Sequence, residues 1–249
     1  MKPYYETDNG VLYQGDCLEV MQGMPDSSVD MVLTDPPYGT TACKWDSIIP
    51  LEPMWEQLKR VIKKNGAIVL TTSQPFTTTL ISSNMGMFKY EWIWEKSNGG
   101  GFLNANRQPL KRHENVVIFS AKPALYVPQK GEGKPYTCRS SSAGETTQDQ
   151  TVAGWVTVNK GGRYPTTVLK FKNDTGFHPT QKPVALMEYL IKTYTNEGEI
   201  VLDFCMGSGT TAVACEKLTR KWIGIEKDES YVEIAAKRIE WETRQGSMF

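Results

Sequence analysis

Short apolar runs alternate with amphipathic, helix-like segments along most of this chain, and that alternation limits its fold more than any other feature. Residues 29–34 and 67–72 each have the length and composition of a buried strand, and the helix-like segment 52–64 lies between them. The pattern returns near the C-terminus, where the apolar runs 199–204 and 222–225 flank another helix-like segment. Alternating strands and helices predict an α/β fold, in which helices cover both faces of a mostly parallel sheet.

Size and composition indicate a single intracellular domain. The 249 residues suffice for one α/β domain with an insertion. No apolar run reaches the roughly 18 residues of a membrane span, and residues 1–10 lack the apolar core of a secretory signal, so we expect a cytoplasmic protein without membrane contact. Five cysteines without a C-x-x-C pair, and only two histidines, predict reduced thiols and no metal site.

The apolar run 199–204 continues into a glycine turn, Asp203-Phe204-Cys205-Met206-Gly207-Ser208-Gly209-Thr210-Thr211, which opens a helix. Gly207 and Gly209 allow a tight turn and let a ligand approach the backbone closely. Glu226 follows the next apolar run, about 20 residues on, where an acid can accept hydrogen bonds from a ribose diol. Phosphate-binding glycine spacings are absent, which favours a nucleoside such as S-adenosylmethionine over NAD or ATP. A helix-initiating turn without a ligand is the alternative.

The tetrad Asp35-Pro36-Pro37-Tyr38 directly follows the apolar run 29–34. Two prolines cannot continue a strand, so the tetrad predicts a stiff turn at the strand's carboxyl end. An exocyclic amine of a nucleobase is a poor nucleophile because its lone pair is delocalised into the ring. The Asp35 carboxylate and the Pro36 carbonyl can accept its two N–H hydrogens, and an extruded base can stack on Tyr38. A strand-ending turn without a catalytic role is the alternative.

Together, the two motifs resemble those of the amino-specific DNA methyltransferases, which methylate N6 of adenine or N4 of cytosine. By this resemblance the tetrad is the catalytic motif and the glycine turn is the cofactor motif. The segment His178-Pro179-Thr180-Gln181-Lys182-Pro183 is similar to one that holds the methionine end of S-adenosylmethionine, and Asp16 matches an acid that meets the cofactor's adenine. The implied cofactor-binding residues are Asp16, Asp35, His178, Thr180, Lys182, Asp203, Phe204, Gly207, Gly209, Thr210, Thr211 and Glu226.

The order of the motifs, with the catalytic one first, is similar to that of the circularly permuted beta group of this family. The implied fold is a single Rossmann-like, S-adenosylmethionine-dependent methyltransferase domain, in which the C-terminal strands lie beside the N-terminal strand and complete one sheet. Residues 1–120 would form its catalytic half and residues 177–249 its cofactor-binding half. Residues 121–176, rich in Gly, Ser, Thr and Lys and with little periodicity, would form an irregular target-recognition insertion.

Basic residues concentrate around the expected insertion. Residues 96–182 contain thirteen Lys or Arg and five Asp or Glu, a local charge of +8 in a chain whose net charge is zero. A DNA-facing segment on a cofactor-binding core would have this distribution, and so would a solvated basic surface. Phe102 is a candidate second stacking face for the base, or simply an aromatic side chain that covers a loop. The candidate base and DNA contacts are Lys96, Phe102, Lys130, Lys134, Arg139 and Arg163.

The predicted function is site-specific methylation of adenine N6 in duplex DNA, with the target base flipped out of the helix. Asp rather than Ser ahead of Pro-Pro-Tyr favours adenine over N4 of cytosine by the family pattern. Methylation of RNA or of protein glutamine, and binding without catalysis, are less favoured functions. The resemblance also allows a homodimer, a cognate restriction endonuclease as a partner, and a bacterial or phage origin.

Overall fold

The computed structural model describes residues 2–40, 46–139, 156–174 and 181–246. It divides into two compact units: Met1–Val127 with Thr167–Phe249, and Pro128–Thr166. The elements in chain order are β1 (Tyr5–Glu6), β2 (Gly10–Gln14), α1 (Cys17–Gln22), β3 (Val29–Thr34), α2 (Leu51–Val61), β4 (Ile62–Thr72), α3 (Phe76–Ser83), β5 (Phe88–Gly100), β6 (Lys111–Phe119), β7 (Gly131–Glu132), β8 (Tyr136–Arg139), β9 (Val156–Asn159), β10 (Gly162–Arg163), β11 (Val168–Phe171), α4 (Val184–Tyr194), β12 (Ile200–Asp203), α5 (Thr210–Lys217), β13 (Lys221–Glu226) and α6 (Glu229–Gly246).

Nine strands of the first unit form one sheet, in the order β1-β2-β13-β12-β3-β4-β6-β5-β11. β13 pairs in parallel with β2 and with β12, and β12 pairs in parallel with β3. The C-terminal strands therefore lie between two N-terminal strands, which confirms the expectation that the two ends of the chain complete one sheet. The β3–β4 and β5–β11 pairs are also parallel, whereas the β1–β2, β4–β6 and β5–β6 pairs are antiparallel.

Helices cover both faces of this sheet, as the sequence predicts. α4, α5 and α6 pack on one face, and α1, α2 and α3 pack on the other. In β4 the neighbouring side chains of Ile68 and Val69 enter opposite layers, because successive side chains of a strand point to opposite faces. Within the described ranges, no helix is long and apolar enough to cross a membrane.

Two strands extend beyond the predicted bounds. The predicted helix 52–64 ends at Val61, because Ile62 adopts an extended conformation and begins β4. Gly66 lies inside the strand, where a Cβ atom would come within 2.7 Å of the Asp30 carbonyl oxygen. β5 continues to Gly100, which pairs with Lys111 at the start of β6. The glycine residues at the end of β5 therefore belong to the β5–β6 ladder.

The second unit, Pro128–Thr166, falls within the range 121–176 that was expected to be an insertion. Its described residues form two small antiparallel pairs, β7 with β10 and β8 with β9. The strand β11 also falls within 121–176, but it pairs with β5 in the large sheet and belongs to the first unit.

Candidate active site

A cavity of about 790 Å³ lies at the carboxyl ends of β3, β4, β12 and β13. These four strands are parallel, so the residues that follow them meet at one edge of the sheet, where ligands of open α/β folds bind. The lining residues that the sequence predicted are Asp35, Pro36, Pro37, Tyr38, Lys182, Asp203, Phe204, Gly207, Thr210, Thr211 and Glu226. His178 and Thr180, also predicted, lie outside the described residues.

The Asp35 carboxylate is held in the cavity wall by three donors. Its Oδ1 accepts hydrogen bonds from the Tyr38 hydroxyl, at 2.5 Å, and from the Thr71 hydroxyl on β4. Its Oδ2 accepts a hydrogen bond from the Lys182 ammonium. Burial, together with the charges of Asp35 and Glu114, raises the pKa of Tyr38 well above its usual value, so the hydroxyl keeps its proton and remains a donor.

A second carboxylate, Asp46, holds the backbone of the Asp-Pro-Pro-Tyr turn. Its Oδ1 accepts hydrogen bonds from the N–H groups of Tyr38, at 2.7 Å, and Gly39, at 2.8 Å, and its Oδ2 accepts one from Thr40, at 2.9 Å. Asp46 is buried, and three charge-assisted bonds fix the turn more tightly than its two prolines could alone. The sequence analysis missed this residue, because no local pattern relates an acid to a turn several residues earlier.

One face of the Tyr38 ring is already covered by protein. The ring stacks on Phe76 of α3, with centroids 5.6 Å apart and an angle of 22° between the planes. Lys182 Nζ lies 5.8 Å from the Tyr38 centroid. The hydroxyl and ring are thus oriented by Asp35, Thr71 and Phe76, so Tyr38 is a rigid element of the cavity wall.

Lys182 links the tetrad to a buried acid on β6. Besides its bond to Asp35, its Nζ lies 3.4 Å from Glu114 Oε2, and Glu114 Oε1 accepts a hydrogen bond from Lys96. Burial opposes the charged form of Lys182, but Asp35 and Glu114 outweigh it and raise its pKa. Burial likewise opposes the charged form of Glu114, but Lys182 and Lys96 outweigh it and lower its pKa. These shifts favour the charged forms of both Lys182 and Glu114. Glu114 is a second residue that the sequence analysis missed.

The glycine turn and Glu226 also line the cavity. Gly207 and Gly209 have φ angles of +52° and +81°, in the left-handed region that favours glycine. Glu226 Oε2 accepts a hydrogen bond from Gly207 N, and its Oε1 accepts one from Asp228 N, both at 2.8 Å. A Cβ atom on Gly207 would meet nothing within 4 Å, so the backbone there is open to a ligand.

Asp203 shapes the start of this turn. Its Oδ1 accepts hydrogen bonds from the Thr34 hydroxyl, at 2.5 Å, and from Cys205 N, at 3.1 Å. Burial raises the pKa of Asp203 to about 6, although hydrogen bonds from Thr211, Thr34 and Cys205 oppose the shift. These bonds join the ends of β3 and β12, so they connect the two sequence motifs.

A buried arginine on α6 braces the glycine turn from behind. Arg238 donates hydrogen bonds from Nη1 to the Ser208 carbonyl and hydroxyl, both at 3.2 Å, and to the Thr210 hydroxyl at 3.0 Å. Gly209, which does not line the cavity, packs against Ala235 of the same helix, where a Cβ atom would come within 3.2 Å. Arg238 is a third residue that the sequence analysis missed.

Asp16 is held at the start of α1. Its Oδ1 accepts a hydrogen bond from Leu18 N at 3.0 Å, and its Oδ2 pairs with Lys227 at 3.1 Å. Burial opposes the charged form, but the bonds from Lys227 and Leu18 outweigh it and lower the pKa of Asp16. The neighbours Gly15 and Cys17 line the cavity.

Two thiols meet in the cavity wall, where Cys17 at the start of α1 contacts Cys205 of the glycine turn. The hydrogen bond between the thiols lowers the pKa of Cys17, against the effect of burial, and raises the pKa of Cys205 well above its usual value. The next residue, Met206, is buried against Gly224 of β13, where a Cβ atom would lie 2.2 Å from the Met206 Cε. Cys205 and Met206 of the glycine turn are therefore accommodated by Cys17 and Gly224.

Two of the candidate DNA contacts, Lys96 and Phe102, lie on or directly after β5. Lys96 is half-buried and is bound to Glu114, so its ammonium is already paired. Phe102 lies on the loop between β5 and β6, with 70% of its surface exposed, and the neighbouring Leu103 is fully exposed.

The other four candidates, Lys130, Lys134, Arg139 and Arg163, lie in the second unit. Lys130 Nζ lies 4.3 Å from the centroid of the Tyr164 ring, and the side chains of Lys134 and Arg139 are exposed. Arg163 instead binds its own unit.

The guanidinium of Arg163 connects the strands of the second unit. It donates hydrogen bonds to Asn159 Oδ1, at 2.6 Å, and to the Lys134 carbonyl. It also lies over the Tyr136 ring, 4.9 Å from the centroid. With these partners, Arg163 holds its own unit together.

Comparisons with known proteins identify a family to which this chain is similar. A family model for N6/N4 methyltransferases, described as "DNA methylase", matches residues 29–237. The type II methyltransferase M.HpaI of Haemophilus parainfluenzae is 28% identical over 254 residues, which cover 91% of this chain and 73% of that protein. The type II methyltransferase M.BglII of Bacillus subtilis is 30% identical over 270 residues, which cover 96% of this chain and 71% of that protein.

Solved structures share the fold. The crystal structure of the M1.HpyAVI–SAM complex has a TM-score of 0.63 and 28% sequence identity, and the match covers 91% of this chain and 98% of that chain. The cytosine-N4-specific PvuII DNA methyltransferase has a TM-score of 0.68 over 98% of this chain and 94% of that chain. At its 19% identity the similarity shows the fold alone. The Rossmann-like methyltransferase fold is thereby confirmed, and the chain belongs to the N6/N4 DNA methylase family.

Proposed function

We propose that this protein transfers a methyl group from S-adenosylmethionine to N6 of adenine in duplex DNA. The observation that carries the proposal is the placement of the Asp35 carboxylate, an acceptor for amine N–H groups, in the same cavity as the glycine turn and Glu226. Both N6 of adenine and N4 of cytosine are exocyclic amines that such a site could serve. Asp rather than Ser ahead of Pro-Pro-Tyr supports adenine.

The described residues fit S-adenosylmethionine. The backbone at Gly207 is open where a side chain would otherwise stand, so a ligand can lie against it. The Glu226 carboxylate is fixed by two backbone N–H groups and retains lone pairs that can accept hydrogen bonds from a ribose diol. When bound, S-adenosylmethionine would supply an electrophilic methyl group, and it would leave as S-adenosylhomocysteine once the bond from its sulfur to that group has broken.

The tetrad would activate the amine by accepting its hydrogens. Hydrogen bonds from the amine to Asp35 and to the Pro36 carbonyl favour a more tetrahedral nitrogen, with its lone pair directed away from the ring. Because Asp46 and Phe76 fix the turn, its backbone is in place before the base arrives and need not reorganise. The Asp35 carboxylate can also receive the proton that the nitrogen loses when its bond to the methyl carbon forms.

Access to a base inside a duplex requires that the nucleotide be flipped into the cavity, at a cost of a few kcal/mol. Exposed cations such as Lys134 and Arg139 support DNA contacts outside the cavity. In this proposal, residues 121–176 recognise the target sequence, and a second copy of the chain could complete a short recognition segment. A cognate restriction endonuclease would be the partner expected of a type II methyltransferase, and the enzyme would act in the bacterial cytoplasm, where its substrate is.

The test is transfer of a labelled methyl group from S-adenosylmethionine to duplex DNA of mixed sequence, with the nucleosides then separated by mass. We expect labelled N6-methyladenine from the wild-type protein and none from an Asp35→Ala variant that still binds the cofactor. Labelled N4-methylcytosine would contradict the choice of base. A wild-type protein that binds the cofactor but labels no nucleoside would contradict methylation of DNA.

A further inference from the structure

Glu114 is a buried acid to which the proposed methyl transfer gives no role. Its side chain is only 12% exposed, at the start of β6 where that strand reaches the cavity. Oε1 accepts the hydrogen bond from Lys96, but within the part of the chain that the structure describes Oε2 accepts none. The nearest cation to Oε2 is Lys182 Nζ, at 3.4 Å, the long end of the hydrogen-bonding range. A buried charged oxygen without a hydrogen bond is costly, and such an atom calls for an explanation.

Lys182 stands between two carboxylates and favours one of them. It is 5% exposed and donates its short hydrogen bond to Asp35 Oδ2 rather than to Glu114. A shift of Nζ by less than about 1 Å would give Glu114 Oε2 a normal hydrogen bond. Lys182 and Lys96 lower the pKa of Glu114, and Asp35 and Glu114 raise the pKa of Lys182, so the ammonium stays charged as it approaches the charged form of Glu114.

The bond from Lys182 weakens the acceptor that the proposed reaction needs. Tyr38 and Thr71 both donate to Asp35 Oδ1, and Lys182 donates to Oδ2, so an incoming amine must share Oδ2 with an ammonium group that draws on the same charge. Among the described residues, the hydrogen bonds of the two hydroxyls reach no second carboxylate, whereas Lys182 has Glu114. Lys182 is therefore the donor that Asp35 can release at least cost.

We propose that Glu114 is a positioning residue that receives the Lys182 ammonium when the target amine binds Asp35. This inference rests on the proposed function. The exchange is local: the amine takes Oδ2 of Asp35, Lys182 gains Oε2 of Glu114, and Lys96 stays on Oε1. No buried charge is left without a partner at any stage. Lys111 and Tyr38 are the other titratable groups whose surroundings include Glu114.

Replacing Glu114 by Gln removes the charge that draws Lys182 away from Asp35 but keeps the shape of the side chain. In Glu114→Gln we expect kcat to fall by about tenfold or more, with the dissociation constant of S-adenosylhomocysteine within about twofold of wild type. Glu95→Gln is the matched control. Glu95 lies on the adjacent strand and pairs with Arg112 at 3.7 Å and Lys170 at 3.2 Å, outside the lining of the cavity.

A binding comparison isolates the step at Asp35 without turnover. With S-adenosylhomocysteine present, duplexes that carry adenine or 2-aminopurine at the mapped target position are compared, because 2-aminopurine lacks the 6-amino group. Wild type should prefer adenine, and Glu114→Gln should lose that preference while it binds the 2-aminopurine duplex as wild type does. If Gln at this position prevents folding, Glu114→Asp, which keeps the charge on a shorter side chain, should give an intermediate loss of kcat.

The proposal is overturned if Glu114→Gln retains kcat within about twofold of wild type, or if its cofactor affinity falls as much as its kcat. It is also overturned if the preference for adenine survives, or if Glu95→Gln is equally impaired. Failure of the proposed function would be visible separately, because the wild-type protein itself would then leave DNA unmethylated.

Discussion

Lys182 donates a hydrogen bond to the carboxylate of Asp35 although 147 residues separate the two in the sequence. Asp35 follows β3, and Lys182 lies two residues before α4, which packs on the same sheet. Their contact unites the tetrad with the segment 178–183 that resembles a cofactor-binding motif. Because Lys182 is buried, salt screens this pair weakly, and a change in either motif should alter the other.

Asp35→Ala should abolish methyl transfer and leave the fold intact. The carboxylate is the acceptor that activates the amine, and a positioned group of this kind normally contributes on the order of a hundredfold or more in rate. The measurement is single-turnover methylation, with circular dichroism to verify the fold. A variant that keeps more than about a tenth of the wild-type rate would remove Asp35 from the mechanism.

Glu226→Ala should weaken the binding of S-adenosylmethionine. The Glu226 carboxylate is held in place by the N–H groups of Gly207 and Asp228. The variant would lose the hydrogen bonds from the cofactor to this charged acceptor, which contribute about 1.5–3 kcal/mol each, or roughly tenfold or more in affinity. Isothermal titration calorimetry measures the change, and Glu233→Ala on the exposed side of α6 is the control. An unchanged dissociation constant would show that Glu226 does not bind the cofactor.

Local sequence was sufficient to predict the framework of the site. Two prolines after an apolar run place Asp35 at a strand end, and the positive φ angles of Gly207 and Gly209 explain why glycines stand there. The alternation of strands and helices predicts that these strand ends meet at one edge. Each of these inferences depends only on neighbouring residues, which is why the sequence reveals them.

The residues that support this framework could not be predicted in the same way. Thr71 approaches Asp35 from the next strand, Glu114 approaches Lys182 from an antiparallel strand, and Arg238 reaches the glycine turn from the last helix. Their roles arise from pairing between distant elements, and a lone Thr, Glu or Arg in the sequence carries no sign of it. Arg163 illustrates the opposite case. Its place in a basic segment made it a candidate DNA contact, but its guanidinium binds residues of its own unit.

A bound cofactor should protect Cys17 from alkylation. Its thiol lies in the cavity wall, and contact with Cys205 lowers its pKa, so it forms a thiolate more readily. We expect S-adenosylhomocysteine to slow alkylation of Cys17 by N-ethylmaleimide, as measured by peptide mass mapping. The exposed Cys138 serves as the internal control and should react at one rate throughout. Equal rates at Cys17 with and without ligand would place the bound nucleoside elsewhere.

Arg163 and Lys134 should affect DNA binding in different ways. Arg163→Met removes bonds that hold the second unit together, so affinity should fall while its dependence on salt stays unchanged. Lys134→Gln removes an exposed cation, so the slope of log affinity against log salt should become shallower by about 0.9 if this ammonium neutralises one phosphate. Fluorescence anisotropy over a series of salt concentrations separates the two effects. A shallower slope for Arg163→Met would make Arg163 a phosphate contact after all.

Asp203→Asn should change how stability depends on pH. Burial raises the pKa of Asp203 to about 6 in the folded protein, above its value of about 3.9 in an unfolded chain. The folded state therefore binds the proton more tightly, and the stability that this proton provides is complete below about pH 4 and is lost as the pH rises to about 6. Asn cannot titrate, yet its amide oxygen can still accept the bonds from Thr34 and Cys205.

The free energy of unfolding of Asp203→Asn, minus that of wild type, should therefore increase by at most about 3 kcal/mol between pH 4 and pH 7. Urea denaturation of both proteins across this range measures the difference, in which the titration of all other groups largely cancels. A difference that is independent of pH would mean that Asp203 titrates normally in the folded state. Its bonds to Thr34 and to the glycine turn would then offset its burial, and the charge of Asp203 would be permanent at the cavity wall.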